Sequence, residues 1–240
     1  MKQSWNDITA IFGGTFDPPH LGHREAVRGL FQYPGVKKVV ILPAGNPPLK
    51  TSRTTAEDRV AMARLCFSAT PRSRYPEEIE FDLREVKRSQ SWAGNPGEKS
   101  YTYDTLAQLR TERTHTAFVI GTDQLEKLPQ WHRFPDILKL THWIVLERKP
   151  KGRERSLAAL QPLESSRLIR PVSSDTWKIA GSATSASNGE TLLKLVPTDA
   201  PLLSSSEIRE TLTRTGKPPE GSLFDPVLSY LNEHRLYGTQ

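Results

Sequence analysis

The chain alternates short apolar runs with longer segments of helical periodicity, and this alternation limits the folds open to it. Runs rich in β-branched residues and bounded by Gly or Pro are typical of buried parallel strands. Such runs predict strands at 8–12, 38–42, 117–120, 142–146 and 192–196. Helices are predicted at 21–31, 55–69, 103–113 and 226–234. This order predicts an α/β fold: a Rossmann-like, doubly wound, mainly parallel sheet with helices on both faces and a small C-terminal helical part.

The length of the chain suits one domain with a sizeable core, so we predict a single domain over residues 1–240. Its C-terminal helical part is expected at 203–240. The stretch 151–189 fits the alternation poorly, and its second half, 173–189, is rich in Ser, Thr, Ala and Gly. We therefore interpret 151–189 as an insertion or a mobile loop.

The formal net charge of +6 suits either nucleic acid or polyphosphate substrates. The charges are scattered, and the densest cluster, at 148–155, is interpreted as a solvated loop. Because no RNA-binding or helix-turn-helix signature is present, we predict no nucleic-acid partner. No apolar run approaches the roughly 20 residues that cross a bilayer, so no membrane partner is predicted either. Cys66 is the only cysteine, which excludes an internal disulfide and makes a cytoplasmic location the expectation.

A glycine-rich segment, GGTFDPPHLGH at 13–23, follows the first predicted strand and opens the first predicted helix. Glycine lets the backbone turn sharply and approach a ligand, and a helix N-terminus offers free N–H groups to an anion. His20 and His23 are expected on one face of the helix start, where both can donate hydrogen bonds to phosphate oxygens. A third His, Cys or carboxylate at a recognisable ligand spacing is missing, so no metal site is predicted. The segment therefore predicts a phosphate site.

A serine-rich segment, SSSEIR, follows the last predicted strand. Ser204 and Glu207 fit a capping box, in which hydroxyl and carboxylate satisfy opposing backbone N–H groups, so a helix is expected to begin here. Ser205 and Ser206 add hydroxyl donors, and Arg209 adds a forked cation suited to phosphate oxygens. A plain helix cap with a surface arginine would explain this segment alone. Together with the first segment, it predicts two anion sites at strand ends that can hold a triphosphate.

These two segments resemble the nucleotidylyltransferase superfamily with the H-x-G-H signature, and more closely its bacterial nicotinate-nucleotide adenylyltransferases. Three middle segments are also similar to that family: SYTYDTL at 100–106, GTDQL at 121–125 and PQWH at 129–132. The resemblance covers most of the chain in the right order, except about 151–189. It implies a single nucleotidyltransferase domain that joins AMP from ATP to nicotinate mononucleotide. The products would be nicotinate adenine dinucleotide and pyrophosphate, a step of NAD biosynthesis.

The resemblance also implies roles for individual residues. The catalytic residues would be His20, His23 and Arg209. The residues expected to bind ATP are Gly13, Gly14, Thr15, Phe16, Gly121, Asp123, Leu203, Ser205 and Ser206. The residues expected to bind the acceptor are Lys50, Thr102, Trp131 and His132. In this scheme Asp123 holds the ribose hydroxyls, the serines hold the departing pyrophosphate, Trp131 stacks on the nicotinate ring, and backbone N–H groups near Thr102 and His132 receive its carboxylate. The expected cofactor is Mg²⁺ carried by the ATP phosphates.

The chain departs from the family pattern at two places. The family's P-P-H-K-like turn after the second strand reads PPLK here, with Leu49 at the histidine position. Leucine cannot donate to a phosphate, so that contact is expected from Lys50, Arg53 or the backbone, or is missing. The 151–189 stretch is longer than the family usually has, which is compatible with an altered lid, a homo-oligomer contact or no functional change.

Other functions stay open at this stage. The same chemistry is compatible with nicotinamide mononucleotide or phosphopantetheine as acceptor, although Trp131 and the 100–106 segment favour a pyridine ring. Acid or amide preference depends on the direction of N–H groups, which the sequence does not give. A nucleotide-binding regulator without catalysis would need a defective catalytic site, and the visible departure from the family motif is Leu49. A nucleic-acid-binding protein is motivated by net charge alone.

Overall fold

The computed structural model describes residues 5–48, 52–68, 79–90, 99–181 and 190–239. The strands in this described part are β1 (Ile8–Gly14), β2 (Val36–Pro43), β3 (Ile79–Phe81), β4 (Thr116–Gly121), β5 (His142–Arg148), β6 (Ile169–Pro171), β7 (Thr176–Ile179) and β8 (Leu192–Thr198). The five strands predicted from apolar runs are confirmed as β1, β2, β4, β5 and β8.

The helices in the same part are α1 (Leu21–Gln32), α2 (Ala56–Ser68), α3 (Arg84–Gln90), α4 (Thr102–Glu112), α5 (Thr122–Leu125), α6 (Gly152–Ser165), α7 (Ser205–Thr215) and α8 (Asp225–Glu233). Short 3₁₀ turns lie at Leu128–Gln130, Asp136–Leu140 and Leu236–Gly238. The four helices predicted from periodicity correspond to α1, α2, α4 and α8, with ends that differ by at most one residue.

The strands form one sheet in the order β3-β2-β1-β4-β5-β8-β7-β6. β1, β4, β5 and β8 pair in parallel, whereas β6 and β7 continue the sheet in antiparallel pairing. Residues on both sides of the parallel strands are buried, as at Val119, Ile144 and Val145. Burial of both sides explains why these strands are continuous apolar runs rather than alternating ones. The predicted Rossmann-like α/β fold with a mainly parallel sheet is therefore confirmed.

The chain divides into two compact units, which are described separately. The first unit comprises Met1–Gly13, Leu30–Val40 and Tyr101–Asp199, and so contains β4, β5, β8 and helices α4, α5 and α6. Trp143 is fully buried in its core, and the indole N–H donates to the Leu138 carbonyl oxygen at 3.1 Å.

The second unit comprises Gly14–Gly29, Ile41–Ser100 and Ala200–Gln240. Its helices include most of α1, all of α2, and the C-terminal pair α7 and α8. Its core contains Phe16, Met62 and Leu231, each at most 1% exposed. The expected C-terminal helical part thus consists of α7, α8 and the final 3₁₀ turn. The prediction of a single domain over 1–240 stays a prediction.

The 151–189 stretch differs from the expected loop wherever the structure describes it. Residues 152–165 form α6, and β6 and β7 pair antiparallel, with Arg170 opposite Lys178. Buried Leu160 and Leu163 give α6 its packed side. The loop interpretation is wrong for α6, β6 and β7, because composition hid a helix that contains Pro162 and two very short strands. Residues 182–189 lie outside the described part.

Candidate active site

The segment between β1 and α1 carries the predicted histidines, and from Gly14 onward it belongs to the second unit. Phe16 has a left-handed backbone with φ +53°, and its side chain is buried. Its ring meets the ring of His23 edge-on, with centroids 5.3 Å apart. A Cβ at Gly14 would lie 2.6 Å from the Phe16 ring, so the glycine makes room for the buried aromatic side chain. The GGTF sequence therefore forms the tight turn that the pattern predicts.

His20 and His23 lie at the start of α1, and their rings stack with centroids 3.7 Å apart. The backbone N–H of His20 donates to Nδ1 of His23 at 3.2 Å, and the backbone N–H of His23 donates to Nδ1 of His20 at 3.3 Å. A ring nitrogen that accepts an N–H carries no proton, so the proton of each neutral imidazole lies on Nε2. The structure brings the two histidines together as the spacing predicts.

Gly22, the glycine of the H-x-G-H signature, lies in a crowded position. A Cβ there would be 2.8 Å from the carbonyl oxygen of Pro201 and 3.0 Å from Nδ1 of His20. Any side chain would displace either the main chain before α7 or the His20 ring. Gly22 is not among the candidate residues predicted from the sequence, although it belongs to the H-x-G-H motif.

The first turn of α7 contacts the histidine segment within the second unit. Ser205 Oγ donates to the Pro18 carbonyl oxygen at 2.9 Å, and Arg209 Nη1 donates to the Asp17 carbonyl oxygen at 2.5 Å. Arg209 Nη2 also donates to Ser206 Oγ at 3.1 Å. The structure thus brings Ser205, Ser206 and Arg209 close to the residues that precede His20. Leu203 lies half-buried in the extended chain just before this helix.

The predicted capping box at the start of α7 is wrong. Ser204 is the N-cap residue, but its side chain makes no capping hydrogen bond. The neighbouring Ser205 is instead the serine whose hydroxyl is used, and its acceptor is the carbonyl oxygen of a distant residue. The helix start itself is at the predicted place, although the Ser204 side chain does not cap it.

Arg59 of α2 is a buried cation that sequence reasoning missed. It is 2% exposed, and burial lowers the pKa of its guanidinium. Its Nη1 donates to the carbonyl oxygen of Thr15 at 3.1 Å and of Ala44 at 2.5 Å, and its Nη2 donates to that of Gly45 at 2.7 Å. One side chain thus joins the turn after β1 to the turn after β2. In the sequence Arg59 looks like an exposed helix residue, and nothing local marks it.

The predicted ribose-binding residues follow β4 in the first unit. Asp123 is exposed on α5, and its carboxylate accepts a hydrogen bond from the Gln124 amide at 2.9 Å. A Cβ at Gly121 would lie 2.6 Å from Oδ1 of Asp123, so glycine is required for this carboxylate position. Thr122 behind it exchanges a hydrogen bond with Ser156 of α6 at 3.0 Å. Gly13 is the last residue but one of β1, the neighbouring parallel strand, and a Cβ there would lie 3.0 Å from the Phe118 ring.

Trp131, the predicted ring-stacking residue, is only half-buried and lies beside an aromatic cluster of the first unit. Its ring meets Phe118 edge-on at 6.2 Å and Trp143 at 6.3 Å between centroids. Its backbone N–H donates to the Leu128 carbonyl oxygen at 3.0 Å, which fixes the turn around it. These contacts hold the indole in place, and its partial exposure is compatible with stacking on a flat ligand ring.

His132 and Thr102 also lie in the first unit, beside α4. The His132 ring stacks on Tyr101 with centroids 4.3 Å apart. Tyr101 is the N-cap of α4 and makes no side-chain capping bond, and Thr102 is the first helical residue. The N–H groups of a first helical turn have no acceptor within the helix, so they suit an anion. This geometry agrees with the expected place for a carboxylate, which stays a prediction.

The PPLK turn is described only in part. Leu49 and Lys50 lie outside the described residues, so the predicted role of Lys50 is untested. Arg53 is described, but its backbone N–H donates to the Asp17 carboxylate at 2.9 Å. Upstream, Asn46 and Ser100 exchange two hydrogen bonds: the Ser100 N–H donates to the Asn46 carbonyl oxygen at 2.9 Å, and the Asn46 N–H donates to Ser100 Oγ at 3.0 Å. The turn after β2 is thus joined to the start of the SYTYDTL segment.

No group of three or more His, Cys, Asp or Glu side chains in the described part of the chain could hold a metal ion. No helix in the described ranges is both long and apolar enough to cross a membrane.

Comparison with known proteins gives one family and many relatives. The family model described as cytidylyltransferase-like matches residues 11–211. A probable nicotinate-nucleotide adenylyltransferase of Pectobacterium atrosepticum is 33% identical over 236 residues, which cover 96% of this chain and 98% of the relative. One of Cellvibrio japonicus, with the same description, is 30% identical over 231 residues, covering 95% and 97%.

Two solved structures are similar in fold. The nicotinic acid mononucleotide adenylyltransferase of Plasmodium falciparum complexed with NaAD has a TM-score of 0.67 at 16% identity, covering 98% of this chain and 99% of that one. The same enzyme complexed with APC has a TM-score of 0.60 at 17% identity, with the same coverage. At this identity the likeness supports the fold.

Proposed function

The chain belongs to the cytidylyltransferase-like family and, within it, to the nicotinate-nucleotide adenylyltransferases, and we propose that it joins the AMP unit of ATP to nicotinate mononucleotide. The observation that carries the proposal is the stacked His20–His23 pair at the start of α1, next to the serines and arginine of α7. A phosphate oxygen of the mononucleotide attacks the α-phosphorus of ATP. The bond between the α-phosphorus and the bridging oxygen breaks, and that oxygen leaves with pyrophosphate. The dinucleotide is the other product.

In this proposal the protein positions two anions and offsets their charge. The Nε2–H groups of His20 and His23 donate to oxygens of the reacting phosphate, where negative charge increases in the transition state. Ser205, Ser206 and Arg209 hold the departing pyrophosphate, together with the backbone of Gly14, Thr15 and Phe16. No covalent enzyme intermediate is needed, because the acceptor phosphate is itself the nucleophile.

The remaining predicted residues take the two nucleoside ends. Asp123 accepts hydrogen bonds from the ribose hydroxyls of ATP, for which its exposed carboxylate is suited. Trp131 stacks on the pyridine ring, and the N–H groups at the start of α4 receive the ring carboxylate. When bound to the ATP phosphates, Mg²⁺ would offset part of their charge. We expect the reaction to take place in the cytoplasm.

The test is pyrophosphate release by the purified protein with Mg²⁺-ATP, measured in parallel with nicotinate mononucleotide and nicotinamide mononucleotide. We expect strong release with the acid and little with the amide. Release with the amide instead would keep the chemistry and refute the acceptor. If neither mononucleotide supports pyrophosphate release while ATP still binds, another phosphorylated acceptor or a non-catalytic nucleotide-binding regulator would be favoured.

The histidine assignment is tested separately with His20→Ala. Loss of one charge-stabilising donor typically lowers the rate by about 10²–10³-fold, and we expect that range in a single-turnover assay. His234→Ala is the matched control, since His234 is exposed after α8 and its ring stacks on Tyr230. A His20→Ala rate within about threefold of wild type would contradict the assignment.

A further inference from the structure

The buried Asp17 carboxylate accepts hydrogen bonds from separate parts of the chain, and none of the roles assigned above involves it. Asp17 lies in the motif segment just before His20, and it is 2% exposed. Its Oδ2 accepts the backbone N–H of Arg53 at 2.9 Å, and its Oδ1 accepts the Thr54 hydroxyl at 2.6 Å. Oδ1 also accepts the hydroxyl of Tyr237, which lies 220 residues further along the chain. A buried carboxylate needs such donors, because without them its charge would be uncompensated.

Tyr237 reaches Asp17 from the C-terminal end of the described chain. It lies in the 3₁₀ turn Leu236–Gly238, where the Thr239 hydroxyl donates to the Leu231 carbonyl oxygen at 2.8 Å and so fixes the turn against α8. Burial and the hydrogen bond to Asp17 raise the pKa of the Tyr237 hydroxyl. The group therefore stays protonated at neutral pH and remains a donor.

Arg209 is the cation next to this carboxylate, but the two do not form a close ion pair. Arg209 Nη1 lies 3.8 Å from Oδ2 of Asp17, whereas it donates to the main-chain oxygen of the same residue at 2.5 Å. Three other donors already occupy the two carboxylate oxygens. The guanidinium is thus held beside Asp17 by a hydrogen bond to the Asp17 main-chain oxygen rather than by contact with the Asp17 carboxylate. Its Nη2 points to Ser206 of the same serine-rich turn.

We propose that Tyr237 is a positioning residue: by occupying Oδ1 of Asp17, its hydroxyl keeps Arg209 in the orientation in which it can hold the pyrophosphate part of ATP. Without the hydroxyl, Oδ1 has an unused lone pair, and among the described residues Arg209 is the cation that forms an ion pair, at 3.8 Å, with this carboxylate. The arginine then turns toward Asp17 and away from the phosphates. The inference rests on the proposed role of Arg209 and deepens it.

The test compares Tyr237→Phe with Tyr230→Phe, which removes the same hydroxyl from a tyrosine that donates to Asp58 at 3.0 Å elsewhere in the unit. We expect Tyr237→Phe to lower kcat/KM for ATP by about tenfold, the scale of one hydrogen bond to a charged group. The KM for nicotinate mononucleotide and every parameter of Tyr230→Phe should stay within about twofold of wild type. If Tyr237→Phe does not fold, Thr54→Val removes the other hydroxyl from Oδ1 and replaces it in the same comparison.

The decisive readout is a double-mutant cycle with Arg209→Ala. If Tyr237 acts through Arg209, its replacement in the Arg209→Ala background should change kcat/KM for ATP by less than about twofold. An equal loss in both backgrounds, or no loss in either, would overturn the inference.

Calorimetric titration of the same four proteins with Mg²⁺-ATP separates this inference from the proposed function. If neither mononucleotide supports pyrophosphate release, the proposed function fails, while non-additive ATP affinities would still support the coupling between Tyr237 and Arg209. Additive affinities would refute the coupling whatever the assay shows. A wild-type protein that does not bind ATP would refute both.

Discussion

Replacement of Gly22 by alanine is the perturbation whose consequence the structure defines most closely. The new Cβ would lie 2.8 Å from the Pro201 carbonyl oxygen and 3.0 Å from Nδ1 of His20. Comfortable contacts of nonbonded atoms begin near 3.5 Å, so the overlaps are roughly 0.7 Å and 0.5 Å. Because a main-chain oxygen moves less readily than a side chain, we expect the His20 ring to take much of the shift.

Two opposing effects set the change in the free energy of unfolding that Gly22→Ala causes. Alanine favours the helix over glycine by about 1 kcal/mol, whereas overpacking of this kind costs about 1–3 kcal/mol. The free energy of unfolding should therefore fall by at most about 2 kcal/mol. Misplacement of a reacting group by ~1 Å can cost about 10²-fold, so a shift of roughly 0.5 Å in His20 should lower the single-turnover rate about tenfold.

The assay is single-turnover pyrophosphate release, with denaturant unfolding measured on the same preparations. Gly216→Ala is the control: its φ is +69°, and no described atom lies within 4 Å of the added Cβ. A left-handed alanine costs about 1–2 kcal/mol, so the control loses stability without any contact to His20. A Gly22→Ala rate within threefold of wild type would refute the reasoning, since the Pro201 segment would then have moved instead of the histidine.

Three further outcomes follow from the geometry. Trp131→Ala should raise KM for the mononucleotide about tenfold or more, since stacking on a base-like ring contributes about 1–3 kcal/mol, and an unchanged KM would remove Trp131 from the acceptor site. Gly121→Ala should raise KM for ATP several-fold by displacing the Asp123 carboxylate, whose Oδ1 would lie 2.6 Å from the new Cβ; steady-state kinetics at saturating acceptor would detect it. Burial, with a smaller effect of the nearby charges of His115 and Lys194, lowers the pKa of His142 from 6.5 to about 4. Unfolding therefore takes up a proton between these pH values, and stability is lost as pH falls through that range, by up to about 3 kcal/mol from this group. Urea unfolding at pH 7 and pH 5 should show a smaller loss for His142→Gln than for wild type, and equal losses would contradict the assignment.

The local patterns were sufficient for the framework of the fold. Apolar runs at β1, β2, β4, β5 and β8 mark strands that are buried on both faces, and this burial requires continuous hydrophobicity whatever the rest of the chain does. The short elements were missed for the opposite reason. β6 and β7 have three and four residues, and their pairing with each other and with β8 comes from the sheet rather than from their own sequence.

The motif segments carried their own information about candidate residues, since a tight turn before a helix needs glycine and a phosphate needs donors. The stacking of His20 on His23 follows from a spacing of three residues at a helix start, and the sequence could predict it. The start of α7 was placed correctly but explained wrongly. Ser204 makes no capping hydrogen bond, and the hydroxyl that is used, that of Ser205, donates to the distant Pro18 carbonyl oxygen.

The sequence by itself therefore determined the α/β class, the main strands and the residues able to meet phosphates. The tertiary structure decided which polar groups meet across long separations: Arg59 with the carbonyl oxygens of Thr15 and Ala44, and Tyr237 with Asp17. Periodicity reports which face of an element is apolar, whereas a buried arginine or carboxylate is tolerated only where distant segments supply its partners. Those partners exist only once the chain has folded.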